Sequence, residues 1–121
     1  MALFGNAHSI DPASAQQDYA RLLGHGEQIQ AAYLLIRDTI LFTDRRLIFV
    51  DKQGITGKKT EYHSVPYRSI THFAVETAGT FDLDAELKIW ISGTSMPVEK
   101  TFTKGVDIYE VQAILTQFVA R

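Results

Sequence analysis

Between residues 29 and 51, three β-rich runs follow one another so closely that only one kind of neighbour relation is open to them. They are 29–36 (IQAAYLLI), 39–43 (TILFT) and 45–51 (RRLIFVD), separated by Arg37-Asp38 and by Asp44. A parallel crossover needs about a dozen residues or more, so these runs must pair as antiparallel hairpins. Gln53-Gly54-Ile55-Thr56-Gly57 then reads as a turn, and a strand over 58–65 is stopped by Pro66. A further strand is predicted at 70–77. The clearest period-two stretch follows, where Leu83, Ala85, Leu87, Ile89 and Ile91 alternate with Asp84, Glu86, Lys88, Trp90 and Ser92. A last strand at 98–103 comes after the Ser92-Gly93-Thr94-Ser95-Met96-Pro97 loop.

Helices bracket these strands. Asp11 is a good N-cap, Pro12 suits the first helical position, and Ala15, Tyr19, Leu22 and Leu23 recur at helical spacing until Gly24. This predicts a helix over 11–23, docked on its own chain or on a neighbour, with residues 1–9 irregular. At the other end Asp107 and Glu110 have capping-box spacing, and Val106 with Val111 fits a hydrophobic staple. Ile108, Val111, Ile114, Leu115, Phe118 and Val119 form an apolar stripe too wide to leave in water. The order is helix, about seven antiparallel strands, helix. It predicts one α+β domain over residues 1–121, in which a small barrel or sandwich is plugged by its terminal helix.

Composition excludes several functions. The 121 residues suffice for a single domain, and the absence of cysteine rules out disulfides, thiolate metal sites and thiol catalysis. A formal net charge of -2 argues against a general binder of nucleic acid, and none is expected as a partner. Met1-Ala2-Leu3-Phe4-Gly5 lacks the basic start and apolar stretch of a secretory signal, and Ala2 excludes N-myristoylation. No run approaches the ~18 apolar residues of a membrane span, so the expected compartment is the cytoplasm.

The order of elements, with several local sequences, resembles the bacterial pleckstrin-homology (PH-like) domain family. The residues that carry the resemblance are Leu35-Ile36-Arg37-Asp38, Thr43-Asp44-Arg45-Arg46-Leu47-Ile48 and Asp51-Lys52-Gln53-Gly54-Ile55-Thr56-Gly57-Lys58-Lys59. Val65-Pro66-Tyr67-Arg68-Ser69-Ile70, Val75-Glu76-Thr77-Ala78-Gly79 and the stretch from Asp82 to Gly93 continue it. The resemblance implies a seven-stranded barrel of two roughly orthogonal sheets over 27–105, a capping helix over 106–121 and an N-terminal helical extension over 1–26. It also implies ring-shaped homo-oligomers and no catalytic activity. Lipid-binding relatives of this fold carry a basic cluster around a long first hairpin loop. Here that hairpin is Ile36-Arg37-Asp38-Thr39, one base beside one acid, which speaks against inositol-phosphate binding.

Sites of chemistry are sparse. His8, His25, His63 and His72 never pair at the spacing of two ligands on one face, and no metal or cofactor is expected. Asp82, Asp84 and Glu86 share an alternating face, but with lysines between them they read as a solvated surface, not a general acid–base pair. An enzyme would need a cleft that gathers His63 or His72 with acids. Gly54-Ile55-Thr56-Gly57-Lys58-Lys59 is too short for a phosphate loop and reads as a hairpin turn.

Charge distribution is the better clue. Arg45, Arg46, Lys52, Lys58 and Lys59 lie in one hairpin against Asp51 alone. Glu76, Asp82, Asp84, Glu86, Glu99, Asp107 and Glu110 face only Lys88, Lys100 and Lys104. Parity puts Trp90 on the outer face, as an interface anchor, unless the N-terminal helix covers that sheet. The expected function is a non-enzymatic binding module that forms a homo-oligomeric ring, taken as pentameric, and contacts other proteins. Its interface would join Arg45, Arg46, Lys58 and Lys59 to Asp82, Asp84, Glu86 and Trp90. The alternative is peripheral binding of anionic lipid or another anionic ligand by Arg45, Arg46, Lys52, Lys58 and Lys59.

Overall fold

The computed structural model describes residues 8–35, 38–53, 59–77, 84–103 and 106–120. The turn at 54–57 and residues Ile36, Arg37, Lys58, Asp82, Leu83 and Lys104 lie outside them. Among the described residues, eight strands form two antiparallel sheets. The first has the order β1 (His8–Ile10), β2 (Ile29–Leu34), β3 (Asp38–Thr43), β4 (Arg46–Gln53) and β5 (Lys59–Pro66). The second has β6 (Ile70–Thr77), β7 (Ala85–Ile91) and β8 (Val98–Phe102). The hairpins forced by the short connections are present, with Ile40 opposite Phe49 and Leu47 opposite Val65.

One core fills the space between the sheets. Tyr33, Ile40, Phe42, Leu47, Phe49 and Val65 from the first sheet meet Leu87, Ile89 and Phe102 from the second. Helix α2 (Ile108–Val119) closes it with Ile108, Val111 and Leu115. Because side chains alternate along a strand, the intervening residues Ala32, Leu41, Ile48 and Val50 face the other way. They form a second core with Ala15 of helix α1 (Pro12–Asp18) and with Ile10, Tyr19, Leu22 and Leu23. Burial on both faces explains why β3 is a continuous apolar run although its sheet is antiparallel.

Three expectations need correction. Residues 8–10 are not irregular: they pair with β2, His8 opposite Leu34, in a strand too short to show periodicity. The predicted helix over 11–23 is divided. Asp11 does cap α1, its carboxylate accepting from the Ser14 N–H at 3.1 Å, but α1 ends at Asp18 and a 3-10 turn takes Ala20–Leu22. It docks on its own chain, against the five-stranded sheet. The capping box is also incomplete. Asp107 accepts from the Tyr109 N–H at 3.0 Å, whereas Glu110 accepts a hydrogen bond from the Tyr33 hydroxyl. Burial and this carboxylate push the Tyr33 phenol well above its ordinary pKa. Tyr33→Phe should cost about 1 kcal/mol in urea unfolding, because the exposed Glu110 can rehydrate. A loss above about 3 kcal/mol would mean that the hydroxyl ties the helix to the sheet.

Candidate functional site

The β4–β5 register brings together residues that are far apart in sequence. Arg46 lies opposite Pro66, so the β3–β4 turn carrying Asp44 and Arg45 comes to lie beside Arg68 in the 3-10 turn Tyr67–Ser69. Two adjoining hollows of about 430 and 400 Å³ open there, with Arg45, Pro66 and Arg68 lining both. Leu22, Leu23 and Gly24 line the first, and Tyr67, Phe118 and Val119 the second. The wall is stiff, since Tyr67 stacks on Phe118 at 4.7 Å and donates its hydroxyl hydrogen to the Thr43 carbonyl at 2.6 Å.

The two neighbouring arginines have different states. Arg46 is held by Glu27: Nε lies 2.9 Å from Oε2 and Nη2 lies 3.0 Å from Oε1. Nη2 also donates to the Leu22 carbonyl and Nη1 to Ser64 Oγ, both at 2.7 Å. Glu27 is only 3% exposed and further accepts from Thr43 Oγ1 and the Gly24 N–H. The Arg46 hydrogen bonds outweigh burial and hold the Glu27 pKa down at about 2, from an ordinary 4.5. The Arg45 guanidinium, by contrast, donates to a neutral acceptor, the His25 carbonyl, at 2.7 Å and has no carboxylate partner among the described residues. Its guanidinium passes so close to Gly24 that a Cβ there would sit 3.1 Å from Nη1. Arg68 is exposed and has no carboxylate partner among the described residues.

This arrangement changes the expected basic hairpin. Arg45 and Lys52 stand at opposite ends of β4, about 20 Å apart at the usual rise per residue, so Arg45, Arg46, Lys52 and Lys59 do not form one patch. Arg46 also has an opposing acid, Glu27, which sequence proximity does not show. Arg68 joins the arginines instead, a residue missed because only the β4–β5 register brings it near.

The acidic side is closer to expectation. Leu87 and Ile89 are fully buried, and Glu86, Lys88 and Trp90 face outward from β7. The sheet is not covered by the N-terminal helix, which occupies the other one. Trp90 stacks on His72 with ring centroids 4.4 Å apart and planes 17° from parallel. Thr71 Oγ1 donates to the Trp90 carbonyl at 3.2 Å, next to a register shift between Ile70 and His72. Lys88 lies 3.4 Å from Glu76 and 4.0 Å from Glu86, and Glu99 stands opposite it on β8. Glu76, Asp84 and Glu86 line a shallow hollow of about 270 Å³ at the end of this sheet. Exposed pairs of this kind contribute about 0–1 kcal/mol each and leave the face acidic.

No enzyme-like cluster emerges from these residues. His63 packs its ring 5.9 Å from that of Phe49, and neither it nor His72 has a hydrogen-bonded acid among the described residues. No described group of three His, Asp or Glu side chains is arranged to hold a metal ion, and no described helix is long and apolar enough to cross a membrane.

Two antiparallel sheets packed on one core and closed by a C-terminal helix define a PH-like domain. The bacterial PH domain family model matches residues 1–119, and the chain belongs to that family. It is similar to the uncharacterized protein YjqA of Bacillus subtilis (strain 168), 58% identical over 114 residues that make up 93% of this chain and 91% of YjqA. Among solved structures it is similar to a DUF1696 family protein with a pleckstrin-homology domain from Shewanella loihica PV-4. The TM-score is 0.86 at 51% identity, covering 95% of this chain and 98% of that one. A pleckstrin homology domain from Shewanella amazonensis SB2B gives 0.80 at 48% identity, over 95% and 93% of the two chains.

Proposed function

We propose that the chain is a non-enzymatic binding module that associates head to tail with copies of itself into a closed ring, pentameric in the first instance, and presents that ring to other proteins. The observation that carries this is the outer face of β6–β8. There an aromatic stack, Trp90 on His72, lies among Glu76, Glu86 and Lys88 with no other layer over it among the described residues. A large aromatic rimmed by charge is the usual composition of an interface anchor. An acidic face meets itself across a two-fold axis only at the cost of like-charge contacts. It calls for a different, basic surface on the next copy, and such heterologous contacts close into a ring when the rotation between copies allows. Lys52 and Lys59 are exposed and without ion-pair partners among the described residues, and they supply that surface. Lys58 and Asp82, expected in this interface from the sequence, lie outside the described residues. Anionic lipid binding by the 45–59 hairpin has less support, because its cations are divided between two ends of the sheet.

Gel filtration with light scattering tests this. The expected mass at low salt is a multiple of 13.6 kDa, near five copies, falling as salt rises. Trp90→Glu should yield monomers of unchanged fold by circular dichroism. A wild-type mass near 13.6 kDa at every salt concentration and at protein concentrations up to about 100 µM would exclude the ring.

A further inference from the structure

The ring reading leaves unused the end of the barrel where Arg45 and Arg68 stand. The two hollows there are joined at these arginines, with half-buried Leu22 and Leu23 on one side and Phe118 and Val119 on the other. Apolar side chains line both ends, with Glu27 at the first and Asp44 at the second, and Arg45 and Arg68 are common to the two. The charge of the lining is cancelled only in part: Glu27 neutralises Arg46, and Asp44, whose Oδ1 accepts from the Gln28 N–H at 2.9 Å, remains an anion beside the second hollow, so that Arg45 and Arg68 leave the lining with a net positive charge. Arg45 is held in place by the His25 carbonyl and by the room that Gly24 leaves. A preplaced guanidinium loses less freedom on binding than a mobile one.

We propose that this groove binds an extended segment of a partner polypeptide in which an aspartate or glutamate is flanked on both sides by apolar residues. The acid would bridge Arg45 and Arg68, and the flanking side chains would enter the two hollows. Charge complementarity selects the acid, because a guanidinium pair recognises a carboxylate with directed N–H donors. The shape selects a chain over a bilayer. The apolar groups and cations line a concave, shallow channel, whereas a flat membrane surface is met by protruding ones. The groove is separate from the Trp90 face, so the inference does not rest on ring formation.

Display of random nonapeptides on phage tests it, selecting on the full wild-type chain and counter-selecting on Arg45→Glu/Arg68→Glu. The expected result is enrichment of peptides with an aspartate or glutamate between apolar residues. The best synthetic peptide should bind about tenfold or more weakly to Arg68→Ala, and to wild type after its acid is changed to the amide. Arg68 is exposed, so Arg68→Ala should keep the wild-type unfolding temperature, and Trp90→Glu should keep peptide binding while losing the ring. No enrichment over the counter-selected variant, enriched peptides without an acid, or binding unchanged by Arg68→Ala would each overturn the proposal. Arg68-dependent binding to phosphatidylglycerol vesicles, with no peptide bound, would overturn it in favour of a membrane.

Discussion

Glu27→Gln is expected to lower stability by about 2–3 kcal/mol, or roughly 10 °C in melting temperature for a domain of this size. The carboxylate accepts from both Arg46 nitrogens, Thr43 Oγ1 and the Gly24 N–H, so an amide can satisfy only part of this set and turns a donor toward other donors. The estimate lies below the range for breaking a fully buried pair because the Arg46 side chain keeps 25% of its surface in solvent. The pH dependence has a definite sign. With the folded pKa lowered to about 2 from 4.5, the Glu27 contribution is complete above the unfolded value and shrinks as pH falls. The stability difference between wild type and Glu27→Gln, read from urea melts, should therefore narrow from about pH 5 to 2. A difference that stays constant over that window would show that the charge of Glu27 is not what Arg46 needs.

Phe102→Ala should cost about 3–5 kcal/mol, a large fraction of the roughly 5–15 kcal/mol available to a domain of this kind. Phe102 is fully buried at the end of β8 and meets the edge of the Tyr33 ring at 6.0 Å and 77°. Tyr33 is in turn edge-on to Phe42 at 5.9 Å. The void would therefore open between the two sheets, where stiff strands on both sides resist collapse. The urea midpoint should fall with little change in slope. Met96→Ala, at a side chain 72% exposed, should stay within about 0.5 kcal/mol of wild type. A loss under about 1 kcal/mol for Phe102→Ala would mean that the sheets close over the gap.

Part of the candidate site was legible from local pattern. Strand parity alone predicts the outward position of Trp90, and the spacing of Asp107, Val111 and Leu115 predicts the cap and buried stripe of α2. His72 as the stacking partner of Trp90 was not legible, since it depends on β6–β7 pairing through a register shift. Glu27 follows Gly24 and Gly26, and nothing in the local sequence marks it as buried. It becomes a buried anion because the β3–β4 turn delivers Arg46 and Thr43 to it.

By itself the sequence determined what local physics decides: antiparallel hairpins where connections are too short to cross over, the helix N-caps at Asp11 and Asp107, and the alternating apolar face of β7. Tertiary structure decided what depends on register and on which layer covers which. It added β1 to the sheet and laid α1 over the second face of β2–β4. It also separated Arg45 from Lys52 along β4 and gathered Arg45 with Arg68. Charges near in sequence can stand a strand length apart, and charges far apart can share a groove, because a hairpin reverses the chain within a few residues while its strands carry side chains about 3.3 Å farther with each step.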